Sequence, residues 1–538
     1  MNAAAQPHST QQPTNATAQS HAALPITWLH FGAGNIFRAF LAAVQQDLIE
    51  ANLVTGALAV CECFDEEIIP TVFTPYNNET LAVTLHVDGR IEQRKLTSIA
   101  EAITFANANA ATHTLNDIPT TSNTPPSNNA PAAITRLHAI VADPVLQIIS
   151  LTITEKGYAV DPTRVCTTPA IATTTPECIT SALLARYNNG AAPLALVSMD
   201  NFAANGNVLK TTITTIAQIW ESNGTAPACF TAYAASLAYP WSMIDKITPH
   251  PSTSVADSLA RDGFPHTQIT KTAKNTVIAP FVNAEAAQYL VMENDFPNGR
   301  PPFGALINSG VYLTDRETVR KIDHMKVCAC LNPLHTILAI SGMLLNYPTI
   351  SACMQDKALV RFIRRAAAEA LPVVAHPGII DPQAFLDEVL TQRFPNPFIP
   401  DAPARIATDS SQKIPVRFGQ TLQARQKAGL PASELQAIPL LIAIWLRYRM
   451  GTDDAGNPLT LSPDPLIPTE IAALEGLPLV STSTTTATNN IDLKPILSNA
   501  KQFGIDLYTT PLATQIEETF LQLASAPGAV QNTIKNFL

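Results

Sequence analysis

The sequence predicts an α/β protein, with an N-terminal doubly wound domain followed by a mainly α-helical C-terminal domain. Three observations lead there. Short apolar runs that stop at polar residues recur to about residue 200, as parallel strands buried on both faces should. The first two runs bracket a glycine turn and an amphipathic stretch, which is the order of a βαβ unit. Beyond about residue 300 the apolar spacing becomes helical.

Each element follows from its residues. Residues 1–25 are rich in Ala, Gln, Thr, Asn and Ser without periodicity and read as a disordered tail. Ile26–Phe31 reads as a strand entering the turn Gly32-Ala33-Gly34. Ile36, Phe37, Phe40, Leu41, Val44 and Leu48 then recur at helical spacing to about residue 50. Ala57–Cys61 is a second strand, closed by Glu62, Cys63, Phe64 and Asp65. Residues 107–134 are mostly Ala, Asn, Thr, Pro and Ser, with Asp117 the only acid, and read as a surface insertion. Leu146–Thr154 and Leu194–Met199 are further strands. Leu331–Leu345, apolar nearly all round, predicts a core helix, and Ala358–Ala370, Ser433–Met450 and Ile516–Leu523 predict others. Ser481–Asn490 is a low-complexity loop. The expected domains are 26–300 and 301–538; a chain of this length suggests roughly two to four domains.

Composition removes several functions. Only 14% of residues are charged and the net charge is −10, which argues against a nucleic-acid partner. No run approaches 18 consecutive apolar residues, so no membrane span is expected. No Lys or Arg precedes Arg38, so neither a secretory signal nor a transit peptide is expected, and the cytoplasm is the default. The eight cysteines include the pairs Cys61/Cys63 and Cys328/Cys330 but no metal spacing, so no metal is expected. Both pairs sit in apolar stretches, where thiols act as small hydrophobes.

Four groups of residues are candidates for chemistry. Gly32 and Gly34, with Asn35 and Ile36 opening the helix, offer backbone N–H groups to a pyrophosphate, as in a Rossmann-type domain. Phe37 stands where a third glycine is usual, so the turn alone is equally a plain βα connection. Glu62 or Asp65, at the end of the second strand, is placed to bind an adenosine ribose and to favour NAD, with NADP possible. Asn201 follows Asp200 at a strand end, where ligands bind open sheets; the same pair also makes turns. Lys326, Asn332 and His335 form a third group. Asn332-Pro333 is a good helix start, yet a lysine beside an apolar run is a candidate base. Arg405 and Lys413 suggest an anionic or polyhydroxylated ligand, or else a solvated loop.

As an ordered set these pieces resemble the polyol-specific long-chain dehydrogenase/reductase, or mannitol dehydrogenase, family. The matching segments are HFGAGNIFRAF (30–40), SLTITEKGY (150–158), ALVSMDN (195–201), YPWSMIDKITP (239–249), ENDFPNGRPP (293–302), MKVCACLNPLHT (325–336) and RFPNPFIPDAPARIATDSSQKIP (393–415). The resemblance implies NAD(P)-dependent, metal-independent hydride transfer at an interdomain cleft. Lys326 would be the general acid/base, and Asn201 and Asn332 would clamp the reacting oxygen. His335, Arg405 and Lys413 would hold substrate hydroxyls or a carboxylate, with Asp245 beside them and Glu155 helping proton exit. Five residues separate Lys326 from Asn332 where the family has four, so a bulge must absorb one. Phe202-Ala203-Ala204 replaces a segment that often carries a histidine. CLNPLHT is closer to the fructuronate reductase-like branch, so fructuronate to mannonate is the expected reaction. Mannitol to fructose is the alternative, and a nucleotide-binding protein without catalysis the non-enzyme one. The expected partner is a small sugar acid or polyol, on a monomer or dimer.

Overall fold

The computed structural model describes residues 24–104, 130–479 and 491–537. The expected tail to residue 23, the insertion over 107–129 and the loop 481–490 lie outside them. The chain packs into two compact units. The first comprises residues up to Thr84 with Ile91–Arg316, and the second Leu85–Arg90 with Glu317–Leu538.

The first unit runs β1 (Ile26–Phe31), α1 (Ala42–Glu50), β2 (Ala57–Glu62), β3 (Thr80–Leu85), β4 (Ile91–Leu96), β5 (Ile99–Thr104), α2 (Ala130–Ala142), β6 (Ile148–Leu151), α3 (Thr175–Asn188), β7 (Ala195–Ser198) and α4 (Asn205–Ser222). α2 begins inside the stretch read as an insertion, because Leu137, Ile140 and Val141 reach the core. Five strands form a parallel sheet in the order β5-β2-β1-β6-β7. The order runs outward from β1 in both directions, so the topological switch point lies between β1 and β6, where ligands bind such sheets.

Strand alternation explains the double winding. Leu29, Phe31, Ala59, Cys61, Ile149 and Leu151 face one side and pack with residues of α2, α3 and α4. Trp28, Leu58, Val60, Ile148 and Val197 face the other, against Phe40, Val44 and Leu48. A buried Arg186 donates to the carbonyls of Val141, Asp143, Leu146, Ala192 and Pro193, which satisfies its guanidinium and ties the ends of α2 and α3 together.

Smaller sheets complete the unit: β8 (Ser242–Asp245), β9 (Thr270–Lys271), β10 (Val277–Ile278), β11 (Phe281–Glu285), β12 (Tyr289–Glu293) and β13 (Val311–Thr314). β12 lies antiparallel to β8 and parallel to β13. That pairing keeps residues 301–316 in the first unit, so the division falls at Arg316 rather than at 300.

The second unit is helical. α5 (Arg316–Met325) passes through a π-helical turn, Lys326–Cys330, into α6 (Asn332–Leu344). α7 (Lys357–Ala370), α8 (Ala437–Tyr448) and α9 (Leu512–Leu523) pack around them. Every residue of α8 is buried. Its N-terminal N–H groups are satisfied by Glu369 of α7, which accepts from Gln436, Ala437 and Ile438. The run Arg316–Leu344 is apolar enough to span a bilayer, but 78% of its most apolar window is buried inside the protein.

Candidate active site

The loop after β1 sits at the switch point. Gly32 has φ +107°, and a Cβ there would lie 2.4 Å from the Thr152 carbonyl oxygen, so close packing against the end of β6 requires glycine. At Gly34 a Cβ would meet nothing within 4 Å. Gly34, Asn35 and Ile36 are half-buried and lead into the helical turn Phe37–Leu41. The Asn35 side chain is held by Arg38 Nη2 at 3.0 Å and by the Pro249 carbonyl, which fixes the turn. A helix start facing open space fits a pyrophosphate.

The two expected ribose acids stand at the end of β2, and both are engaged within the protein. Glu62 is buried, and its carboxylate accepts from the N–H groups of Ala33, Phe64 and Asp65 at 2.8, 2.8 and 3.1 Å. It clamps the glycine turn to the end of β2. Burial raises its pKa against the pull of those bonds. Asp65 is 1% exposed and accepts from the Thr272 and Thr276 hydroxyls at 2.7 and 2.5 Å. Neither presents an unengaged carboxylate to a ribose, because the strand end folds back on its own backbone.

The loops after β6 and β7 are joined by Asp200, which accepts from the N–H groups of Ile153 and Thr154, both at 2.9 Å, and from the Tyr158 hydroxyl at 2.7 Å. Burial raises the pKa of both Asp200 and Tyr158. Thr154 has φ +63°, a strained conformation for a β-branched residue. Glu155 and Asn201 are exposed in these two loops, and Asp245 is buried at the end of β8. Asn205, absent from the sequence reading, donates to the carbonyls of Ser198, Asp200 and Ser242.

The second unit brings the other group together. Lys326 is 1% exposed and opens the π-turn, closed by Leu331 N–H to the Lys326 carbonyl at 3.2 Å. A π-turn takes one residue more than an α-turn, which absorbs the extra residue before Asn332. Asn332 is the first residue of α6 and Pro333 the second; Leu331 holds the capping position. The expected cap is therefore displaced by one, and among the described residues the Asn332 carboxamide makes no hydrogen bond.

His335, one turn on, places Nε2 3.0 Å from Oδ2 of Asp401. Burial lowers the pKa of His335, so it is neutral near pH 7. Asp401 also receives Arg405, Nε at 2.9 Å and Nη2 at 2.7 Å, on its other oxygen. Burial pushes Asp401 up, but His335 and Arg405 outweigh it and hold the carboxyl below its ordinary pKa. Arg405 itself remains largely exposed. Lys413 donates to the carbonyls of Ile406 and Thr408, and burial beside Arg417 and Arg405 brings it down to about 8. Arg417, also missed by the sequence reading, donates to the Asn332 carbonyl and the Thr336 hydroxyl, and burial lowers it to about 10. Asp401 had a sequence signal, since it stands four residues before Arg405. Arg417 had none.

Two family models cover most of the chain: the mannitol dehydrogenase Rossmann domain matches residues 26–277 and the mannitol dehydrogenase C-terminal domain residues 318–524. The chain belongs to the mannitol dehydrogenase family. This family member is an NAD-dependent oxidoreductase acting on CH–OH groups. It is 41% identical over 520 residues to D-mannonate oxidoreductase of Thermotoga maritima, covering 94% of this chain and 92% of that one. Mannitol 2-dehydrogenase of Cereibacter sphaeroides is 29% identical over 331 residues, covering 59% of this chain and 63% of its own. Among solved structures, a substrate-free D-sorbitol dehydrogenase superposes with a TM-score of 0.71 at 20% identity, covering 93% and 92% of the two chains. Pseudomonas fluorescens mannitol 2-dehydrogenase, in complex with NAD and D-mannitol, superposes with 0.65 at 22%, covering 96% and 94%. These likenesses show the fold.

Proposed function

We propose that this mannitol dehydrogenase family enzyme interconverts fructuronate and mannonate, with Lys326 as the general acid/base. The observation that carries the substrate class is electrostatic. Arg405 and Arg417 both depress His335 and Lys413, so three cations lie near one another, facing the carboxylates of Asp401, Asp409 and Asp464, in a protein of net charge −10. Such convergence suits a carboxylate. A relative 41% identical bears the name D-mannonate oxidoreductase, which supports the same reading.

The chain's own residues would then divide the work. Lys326 gives a proton to the keto oxygen during reduction and recovers one from the alcohol during oxidation. The Asn332 carboxamide donates to that oxygen, and Asn201 is its proposed counterpart. Neutral His335, held by Asp401, bonds a substrate hydroxyl; Lys413 and the exposed side of Arg405 bind the carboxylate. Asp245 and Glu155 are proposed as substrate contact and proton exit. The turn Gly32–Ile36 binds the pyrophosphate, and the nicotinamide supplies the hydride when bound. Glu62, Asp65, Glu66 and Glu67 at the end of β2 disfavour a 2′-phosphate, which supports NAD over NADP.

NADH oxidation with fructuronate and fructose in parallel tests this. The expected result is fast turnover on fructuronate, poor turnover on fructose, and a kcat lower by about 10²–10⁴ in Lys326→Ala. Preference for fructose would move the enzyme to neutral polyols. An active Lys326→Ala enzyme would refute the proton-transfer role.

A further inference from the structure

Two fully buried arginines of the first unit are satisfied to very different degrees. Arg186 spends Nε, Nη1 and Nη2 on five carbonyl oxygens, as a purely structural guanidinium does. Arg38 is equally buried, yet among the described residues it makes only two bonds. Nη1 donates to the Ala279 carbonyl at 2.7 Å, and Nη2 to Oδ1 of Asn35 at 3.0 Å. Its Nε is buried without a partner, and among the described residues it forms no ion pair. Burial brings Arg38 down to about 10, which still leaves it a cation at neutral pH. A charge taken out of water with no opposite charge beside it is costly. Its counter-charge must come from outside the chain.

The guanidinium points at the open side of the glycine turn. Asn35, which holds Nη2, follows Gly34, where a Cβ would meet nothing within 4 Å. The Asn35 carboxamide also donates to the Pro249 carbonyl at 3.4 Å, so it is gripped at both ends. Arg38 itself stands one turn along the helix that starts there, its N–H bonded to the Gly34 carbonyl at 3.2 Å. That helical run, Phe37–Leu41 and then α1, adds the partial positive charge of its own first N–H groups.

We propose that Arg38 is the buried counter-charge for the cofactor's pyrophosphate, a positioning residue that acts from beneath the turn through Asn35. The proposal deepens the dinucleotide reading of this turn and rests on it. Each phosphate of a dinucleotide carries a full negative charge, whereas a helix start offsets only about half of one. Arg38 supplies a whole positive charge, and its burial leaves that charge poorly screened by salt. It also holds Asn35 in place before the ligand arrives, so little ordering is needed on binding. The ligands favoured are adenosine diphosphate and its esters; uncharged adenosine gains nothing from Arg38.

The test separates charge from scaffolding on the full chain. Adenosine, ADP and NADH are titrated into wild type, Arg38→Met and Arg38→Lys, with a thermal melt of each. Arg38→Met should weaken ADP and NADH by about ten- to a hundredfold and leave adenosine unchanged. Arg38→Lys keeps the charge but loses the planar fork, so Tm should fall while ADP affinity stays within about threefold. Unchanged ADP affinity in Arg38→Met would overturn the counter-charge. So would an adenosine loss matching the ADP loss, or an Arg38→Lys protein as weak for ADP as Arg38→Met, because both mark a scaffold. If Arg38→Met does not fold, Arg38→Lys decides alone by whether ADP affinity survives the drop in Tm. Wild type that binds neither ADP nor NADH would strike the cofactor reading itself, and this role with it.

Discussion

At Lys413 burial and the nearby charges of Arg417 and Arg405 bring the ammonium down to about 8. Below that pH it is protonated and can bind an anion; as pH rises through about 8 the charge is lost. For a carboxylate substrate KM should therefore climb about tenfold per pH unit above 8. His335 is already neutral there, since burial lowers it, and Arg417 loses its proton only near 10. Steady-state kinetics from pH 7 to 9.5 check this, with Lys413→Arg expected to flatten the curve because a guanidinium stays charged. A flat wild-type profile would remove Lys413 from the anion site. Side-chain type singled out Lys326, His335 and Lys413 in the sequence, and the structure places all three in the second unit. Glu62 and Asp65 fit a ribose by type, but the backbone N–H and hydroxyl groups that reach their carboxylates in the structure could not be read from the sequence. Arg417 was invisible for the same reason, being defined by its neighbours in space, whereas Asp401 carried only the i,i+4 spacing to Arg405.

Among elements, the turn after β1 separates what the fold demands from what a ligand demands. Gly32→Ala forces a Cβ to within 2.4 Å of a backbone oxygen in a left-handed conformation. It should cost about 1–3 kcal/mol or more and lower Tm. Gly34→Ala meets nothing within 4 Å, so Tm should hold while NADH Kd rises. Equilibrium NADH titration with thermal melts of both variants checks the pair; an unchanged Kd in Gly34→Ala would leave this turn without a phosphate. The glycines, the βαβ order and the long helices were readable because periodicity over ten or more residues is a strong signal. β8, with four residues, and the two-residue β9 and β10 were not, because a strand that short shows no alternation. The π-turn at Lys326–Cys330 was anticipated only as a surplus residue, since counting shows that a bulge is needed and packing decides its form.

For the molecule as a whole, composition and texture foretold two domains and their order. They did not foretell that the hairpin tip Leu85–Arg90 belongs to the second unit while the strands on either side belong to the first. The tip reads as an ordinary Asp88-Gly89 turn, and nothing local marks what it packs against. Two contacts do so in the structure: buried Asn396 donates Nδ2 to the Leu85 carbonyl at 2.8 Å, and Phe398 lies against Gly89. Asn396→Ala strands that carbonyl, which should cost about 1–3 kcal/mol. Calorimetry should show the midpoint of the second unit falling by a few degrees, with NADH Kd unchanged, because the dinucleotide turn shares no bond with Asn396. If instead Tm held and NADH affinity dropped, the tip would serve the cofactor domain, and its assignment to the helical unit would be wrong.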